Sequence, residues 1–113
     1  MKKLLGLLLI VITLSNFACA QNKKDTLFVA HWNLENLFDT IDDPKTDDEE
    51  FVIGSEKEWS ADRLDKKFYN LARVIRSMNN NNGPDVLGVC EVEHQDLLDS
   101  MLNKYLKDKF YRV

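Results

Sequence analysis

The chain has 113 residues, 30% of them charged, and a formal net charge of −4. That length holds one domain at most, and the acidic balance is a poor footprint for a sequence-independent DNA clamp. A nucleic-acid substrate stays open, because a bound divalent metal can supply local positive charge.

Met1-Lys2-Lys3 followed by the apolar run Leu4 to Leu14 has the form of a secretory signal, and Ala18-Cys19-Ala20 offers a small-x-small cleavage site before Gln21. The apolar run is short for a bilayer span. The expectation is therefore a signal peptide over residues 1–20 and an exported protein, periplasmic or extracellular. A lipoprotein anchored at Cys19 is the rival. Cleavage removes Lys2 and Lys3 and makes the remainder more acidic still. It also leaves Cys90 as the one cysteine, so there is no disulfide framework to read.

Thr26 to Asn33 is the first expected strand, with Phe28, Ala30 and Trp32 alternating against Val29, His31 and Asn33. A lone strand histidine is more often a core residue than a ligand, so His31 is read as structural. Leu37-Phe38 should pin the chain before a long acidic stretch, 39–58, punctuated by Pro44 and Gly54. Its default reading is a solvated loop. The Asp-x-Asp-x-Asp-Gly spacing of a calcium loop is missing. A loop of this length is usually mobile or functional, and Phe51, Val52 and Ile53 are placed to dock part of it.

From Ser60 to Met78 the residues Leu64, Phe68, Leu71, Ile75 and Met78 form one apolar stripe at helical spacing. Ser60 suits the N-cap, and Trp59 before it can staple onto Leu64. Arg63, Lys66 and Lys67 read as solvated surface. Asn79 to Asn82 is a small low-complexity tract, and Asn82-Gly83-Pro84 leads into Val86 to Cys90. That apolar run fits a strand buried on both faces, with Cys90 as a small core residue. A second helix is expected over Gln95 to Lys107, and a third strand opens at Phe110 to Val113.

Strand, crossover helix, strand should be parallel, with both carboxyl ends on one edge of the sheet. Ligands in open α/β sheets sit outside that edge. Asn33 and Glu91 end the two strands there. Glu91 and Glu93 also read as the acidic first turn of the next helix, and the polar end of the first strand is what tips Glu91 toward chemistry. A carboxylate beside a carboxamide is a hard, all-oxygen environment suited to Mg²⁺ or Mn²⁺ and poor for zinc.

Trp32-Asn33-Leu34-Glu35-Asn36-Leu37-Phe38-Asp39, together with Pro84-Asp85-Val86-Leu87-Gly88-Val89-Cys90-Glu91-Val92-Glu93, resembles the endonuclease/exonuclease/phosphatase superfamily, exonuclease III-type nucleases and DNase I among its members. The resemblance implies an α/β fold, the N-terminal part of a four-layer α/β sandwich of the DNase I type. It also implies divalent-metal-dependent phosphoester hydrolysis, with Glu91 as the metal-binding glutamate and Asn33 as the asparagine that organises the metal and phosphate site. His94 stands where many exported members have asparagine, and is assigned no catalytic role. An Asp-x-Asn pair and a late Asp-His pair complete the family's machinery, and no stretch of this sequence matches them. Residues 21–113 are therefore expected to be the N-terminal part of such a domain, inactive alone.

The expected activity is a nuclease-like phosphodiesterase that uses Mg²⁺ or Mn²⁺ on a nucleic acid. Phosphomonoesters, phospholipids and inositol phosphates are the alternative substrates. A monomer with no stable protein partner is expected. The reading from another class is a non-catalytic exported module that binds a partner through the acidic loop 39–58.

Overall fold

The structure is a computed structural model, and it describes residues 26–113. The expected signal peptide and Cys19 lie outside the described residues.

Two strands, β1 (Val29–Leu37) and β2 (Val86–Val92), pair in parallel and are joined through α1 (Ala61–Asn81). A second helix, α2 (Gln95–Tyr105), follows β2, and a single 3-10 turn, Lys107–Lys109, follows α2. The expected α/β order is observed, and it is compatible with the N-terminal part of a DNase I-like fold.

Both helices cover the same face of the strand pair. Leu34 and Leu37 of β1, Phe68, Leu71, Ala72 and Ile75 of α1, and Leu97 and Met101 of α2 form the core, closed by Leu106. Trp32, Leu87, Val89 and Val92 pack against it from the sheet. The α1 stripe thus buries as its spacing requires, and the Ser60 hydroxyl accepts the Arg63 N–H at 3.3 Å to cap the helix.

The opposite face is open. Val29, His31, Asn33, Val86, Gly88 and Cys90 are all exposed there. β2 is therefore not buried on both faces among the described residues, and neither Cys90 nor His31 is a core residue. The alternation assigns two faces to β1 correctly, but it does not say that both helices choose one of them, and the continuous apolar run of β2 hides an alternation of exposure.

Three further expectations change. Regular helix ends before Met78, where ψ is 157°, and Asn79, Asn80 and Asn81 follow with φ of 50°, 54° and 69°. Asparagine enters this left-handed region more readily than most residues, which gives the Asn tract a conformational purpose. Gly83 continues the turn at φ 81°, and a Cβ there would strike the Tyr111 hydroxyl. Phe110 to Val113 forms no strand. Phe110 turns left-handed at φ 58°, and Tyr111 is held by a side-chain hydrogen bond to the Pro84 carbonyl at 2.7 Å.

The acidic stretch is more ordered than its composition suggests. Phe38 stacks on Phe51 at 4.6 Å between ring centroids, and Phe51 meets Trp59 edge-on at 5.5 Å. Trp59 is also tied back by its indole N–H to the Asp39 carbonyl at 2.7 Å. Phe51 docks as expected, whereas Ile53 remains exposed.

Candidate active site

Register decides which side chains reach the sheet edge. Val29 to Asn33 pair residue for residue with Val86 to Cys90, and the next pair is Leu37 with Val92. β1 therefore takes four steps where β2 takes two. The excess is absorbed by Glu35 and Asn36, both left-handed at φ 54° and 58°, and Glu91 opposite is left-handed at φ 56°. Each such non-glycine residue costs about 1 kcal/mol or more, and strain of this kind clusters at functional sites.

The irregularity brings the two sequence-nominated residues together. Asn33 Nδ2 donates to Glu91 Oε1 at 2.6 Å, while Asn33 Oδ1 accepts the Glu35 N–H at 2.7 Å. With both ends of the amide engaged, its orientation is fixed, and it fixes one oxygen of the carboxylate in turn. Glu91 lies on β2 itself, and α2 begins only at Gln95, so Glu91 is not part of a helical first turn.

Lys67 departs from the solvated surface that its spacing suggests. From α1 it reaches the bulge and donates to the carbonyls of Glu35 at 2.5 Å and Asn36 at 2.9 Å. Burial pulls its pKa below the usual lysine value, and the charges of Glu35 and Glu91 oppose that shift. Lysine at this position on an amphipathic helix gives no sign of the role, because the bulge that it satisfies is not visible in the strand pattern.

A second group of polar side chains lies just beyond. Glu93 Oε2 accepts the Asp39 N–H at 2.9 Å, and the Glu93 N–H donates to the Leu37 carbonyl at 3.1 Å. His94 Nε2 lies 3.3 Å from Asp39 Oδ2. Sequence reasoning gives none of the three a site role: Asp39 is read into the loop, Glu93 into an acidic helical first turn although α2 starts only at Gln95, and His94 is assigned no role. The available signal is that Asp39 and Glu93 each leave a strand at the same sheet edge.

Burial raises the Glu93 pKa above its ordinary 4.5; the Asp39 N–H and His94 oppose the rise, and the charges of Asp39 and Asp48 add to it. A carboxyl whose folded pKa is raised stabilises the fold below its unfolded pKa and loses that contribution as pH climbs through the folded value. With chelator present, we expect Glu93 to add a downward slope to the melting temperature as pH rises from about 4 through its titration, against the upward slope from Asp65 and Asp108, whose pKa values are lowered. Glu93→Gln should remove that downward component. An identical slope in the variant would show that Glu93 does not contribute to it.

The endonuclease/exonuclease/phosphatase family model matches residues 28–113, which takes in both strands, both helices and the Asn33–Glu91 pair. The chain belongs to the endonuclease/exonuclease/phosphatase family. No curated protein and no solved structure matches it. Membership in this family supports a phosphoester hydrolase at the level of the superfamily, and members of the endonuclease/exonuclease/phosphatase family typically use divalent metals.

Proposed function

We propose that the protein is a divalent-metal-dependent phosphodiesterase of nuclease type, with Asn33 and Glu91 in its metal and phosphate site. The observation that carries the reading is the Asn33–Glu91 hydrogen bond at the carboxyl edge of a parallel strand pair. The donors fit a hard cation. Glu91 is exposed and gives one oxygen to the amide, which leaves the second for a ligand.

One carboxylate with water and substrate phosphate oxygens is a normal way to hold Mg²⁺. When bound, such an ion polarises a phosphoryl oxygen and offsets charge in an in-line displacement. The protein's own part is preorganisation. Asn33 orients Glu91, the Glu35 N–H orients Asn33, and Lys67 holds the bulge on which Glu35 sits. A nucleic acid is the favoured substrate. In this reading residues 1–20 are the export signal, residues 21–113 are the N-terminal part of the catalytic domain, and the protein is a monomer.

The test is hydrolysis of DNA, RNA, a phosphoinositide and sphingomyelin, each with Mg²⁺ and with EDTA. It uses the complete protein that carries the whole catalytic domain, of which residues 21–113 are in this reading the N-terminal part. Cleavage of DNA or RNA that EDTA abolishes is the expected result. Cleavage of a lipid alone would reassign the substrate. No hydrolysis of any of them with Mg²⁺ or Mn²⁺ would remove the hydrolase reading.

A further inference from the structure

Asp39, Glu93 and His94 take no part in the hydrolase reading above. One ligand atom from each of the three lies within 4.8 Å of the others. Such groups are common without an ion, and what distinguishes this one is Asp48. Its side chain is 2% exposed, its Oδ2 accepts the Asp43 N–H at 3.1 Å, and its Oδ1 meets no hydrogen-bond donor. Asp48 also lies near enough for its charge to act on Glu93.

A buried carboxylate is costly unless it is paired. The charges that act on Glu93 are Asp39, His94 and Asp48, with no lysine or arginine among them. The ion pairs that lysine and arginine form among the described residues lie elsewhere: Lys57–Glu50, Arg63–Glu58, Arg76–Asp108 and Lys104–Asp65. Two carboxylates thus gather with one imidazole, and a third, buried carboxylate whose charge acts on Glu93 has an oxygen without a partner.

We propose that Asp39, Glu93 and His94 bind a divalent transition-metal ion, with Asp48 as the buried anion behind it. The donor set selects the class of ion. Two carboxylates with an imidazole nitrogen suit Zn²⁺, which takes three protein ligands and a water in many sites. Mg²⁺ prefers oxygen alone. The ligands come from the exits of β1 and β2, so the ion would tie those two exits together, with Asp48 of the acidic stretch acting on Glu93 through its charge. This site is separate from the Asn33–Glu91 pair and does not depend on the hydrolase reading.

The experiment uses the full-length protein with Cys90→Ser, which removes an exposed thiol that could capture zinc. After chelation it is titrated with Zn²⁺ and with Mg²⁺ by calorimetry, and melting is followed in parallel. The expected result is one Zn²⁺ equivalent, bound at least about tenfold more tightly than Mg²⁺, that raises the melting temperature. That equivalent should persist in Glu91→Gln and weaken by about tenfold or more in His94→Ala and Asp39→Asn. His94 is exposed, so His94→Ala should melt normally without metal and carries the decision even if Asp39→Asn fails to fold. An unchanged Zn²⁺ isotherm in His94→Ala, no Zn²⁺ binding by the parent, or a loss in Glu91→Gln alone would each overturn the proposal. Failure of the hydrolase reading would appear as absent hydrolysis, with this isotherm intact.

Discussion

Glu91→Gln is expected to lower metal-dependent hydrolysis by the full-length protein by about 100-fold or more, because a bound metal supplies several kcal/mol of transition-state stabilisation. The substitution preserves shape, and the carbonyl oxygen of the new carboxamide can still accept the Asn33 amide hydrogen bond. What it removes is the negative charge proposed to hold the cation. Glu91 is exposed and outside the core, so the melting temperature should stay close to that of the parent. The measurement is kcat/KM across a Mg²⁺ titration, with a melting curve on the same preparation. Unchanged turnover would remove Glu91 from the site. A collapse of both activity and melting temperature would make Glu91 a structural residue instead.

The path from sequence to this site is readable where a rule of chain geometry applies, and unreadable where local backbone detail takes over. The helix stripe from Leu64 to Ile75 and the Ser60 cap follow from spacing and from a hydroxyl at the right position. The meeting of Asn33 and Glu91 follows from parallel pairing, which gathers strand ends on one edge. The two-residue excess of β1 does not follow, because Glu35 and Asn36 carry no mark of left-handed backbone and neither is glycine. Lys67 escapes a sequence reading for the same reason, since its partners are carbonyls exposed by that bulge.

Cys90 and His31 show a different limit. Period two assigns His31 to a face of its strand but says nothing of which face the helices will cover, and the apolar run around Cys90 does not reveal that one face of β2 is exposed. Asp48 shows a third. In a run of nine acidic residues between Asp39 and Glu58, nothing in the composition singles out the one that is 2% exposed. The family resemblance on Trp32–Asp39 and Pro84–Glu93 supplies the superfamily, which spacing alone does not reach.

Leu37→Ala tests the link between this core and the site, and it should destabilise the protein by about 2–5 kcal/mol, the usual range for a buried leucine. Leu37 is fully buried, and it sits between the bulge at Glu35 and Asn36 and the carboxylate of Asp39. Its carbonyl also receives the Glu93 N–H. A loss of that size is a large part of the roughly 5–15 kcal/mol that holds a domain together. Leu27, which is 72% exposed, is the control, and Leu27→Ala should stay within about 0.5 kcal/mol of the parent. Denaturant midpoints of the two variants and the parent provide the comparison, and equal midpoints for Leu37→Ala and the parent would refute the placement of Leu37 in the core. Activity gives the second half of the argument. In Leu37→Ala the loss of hydrolysis should track the unfolded fraction as temperature rises, because the bulge and the Asp39–Glu93 contact loosen together. In Glu91→Gln the loss should be the same at every temperature below melting. The difference between those two temperature profiles separates a residue that holds the sheet edge in place from the residue proposed to hold the metal there.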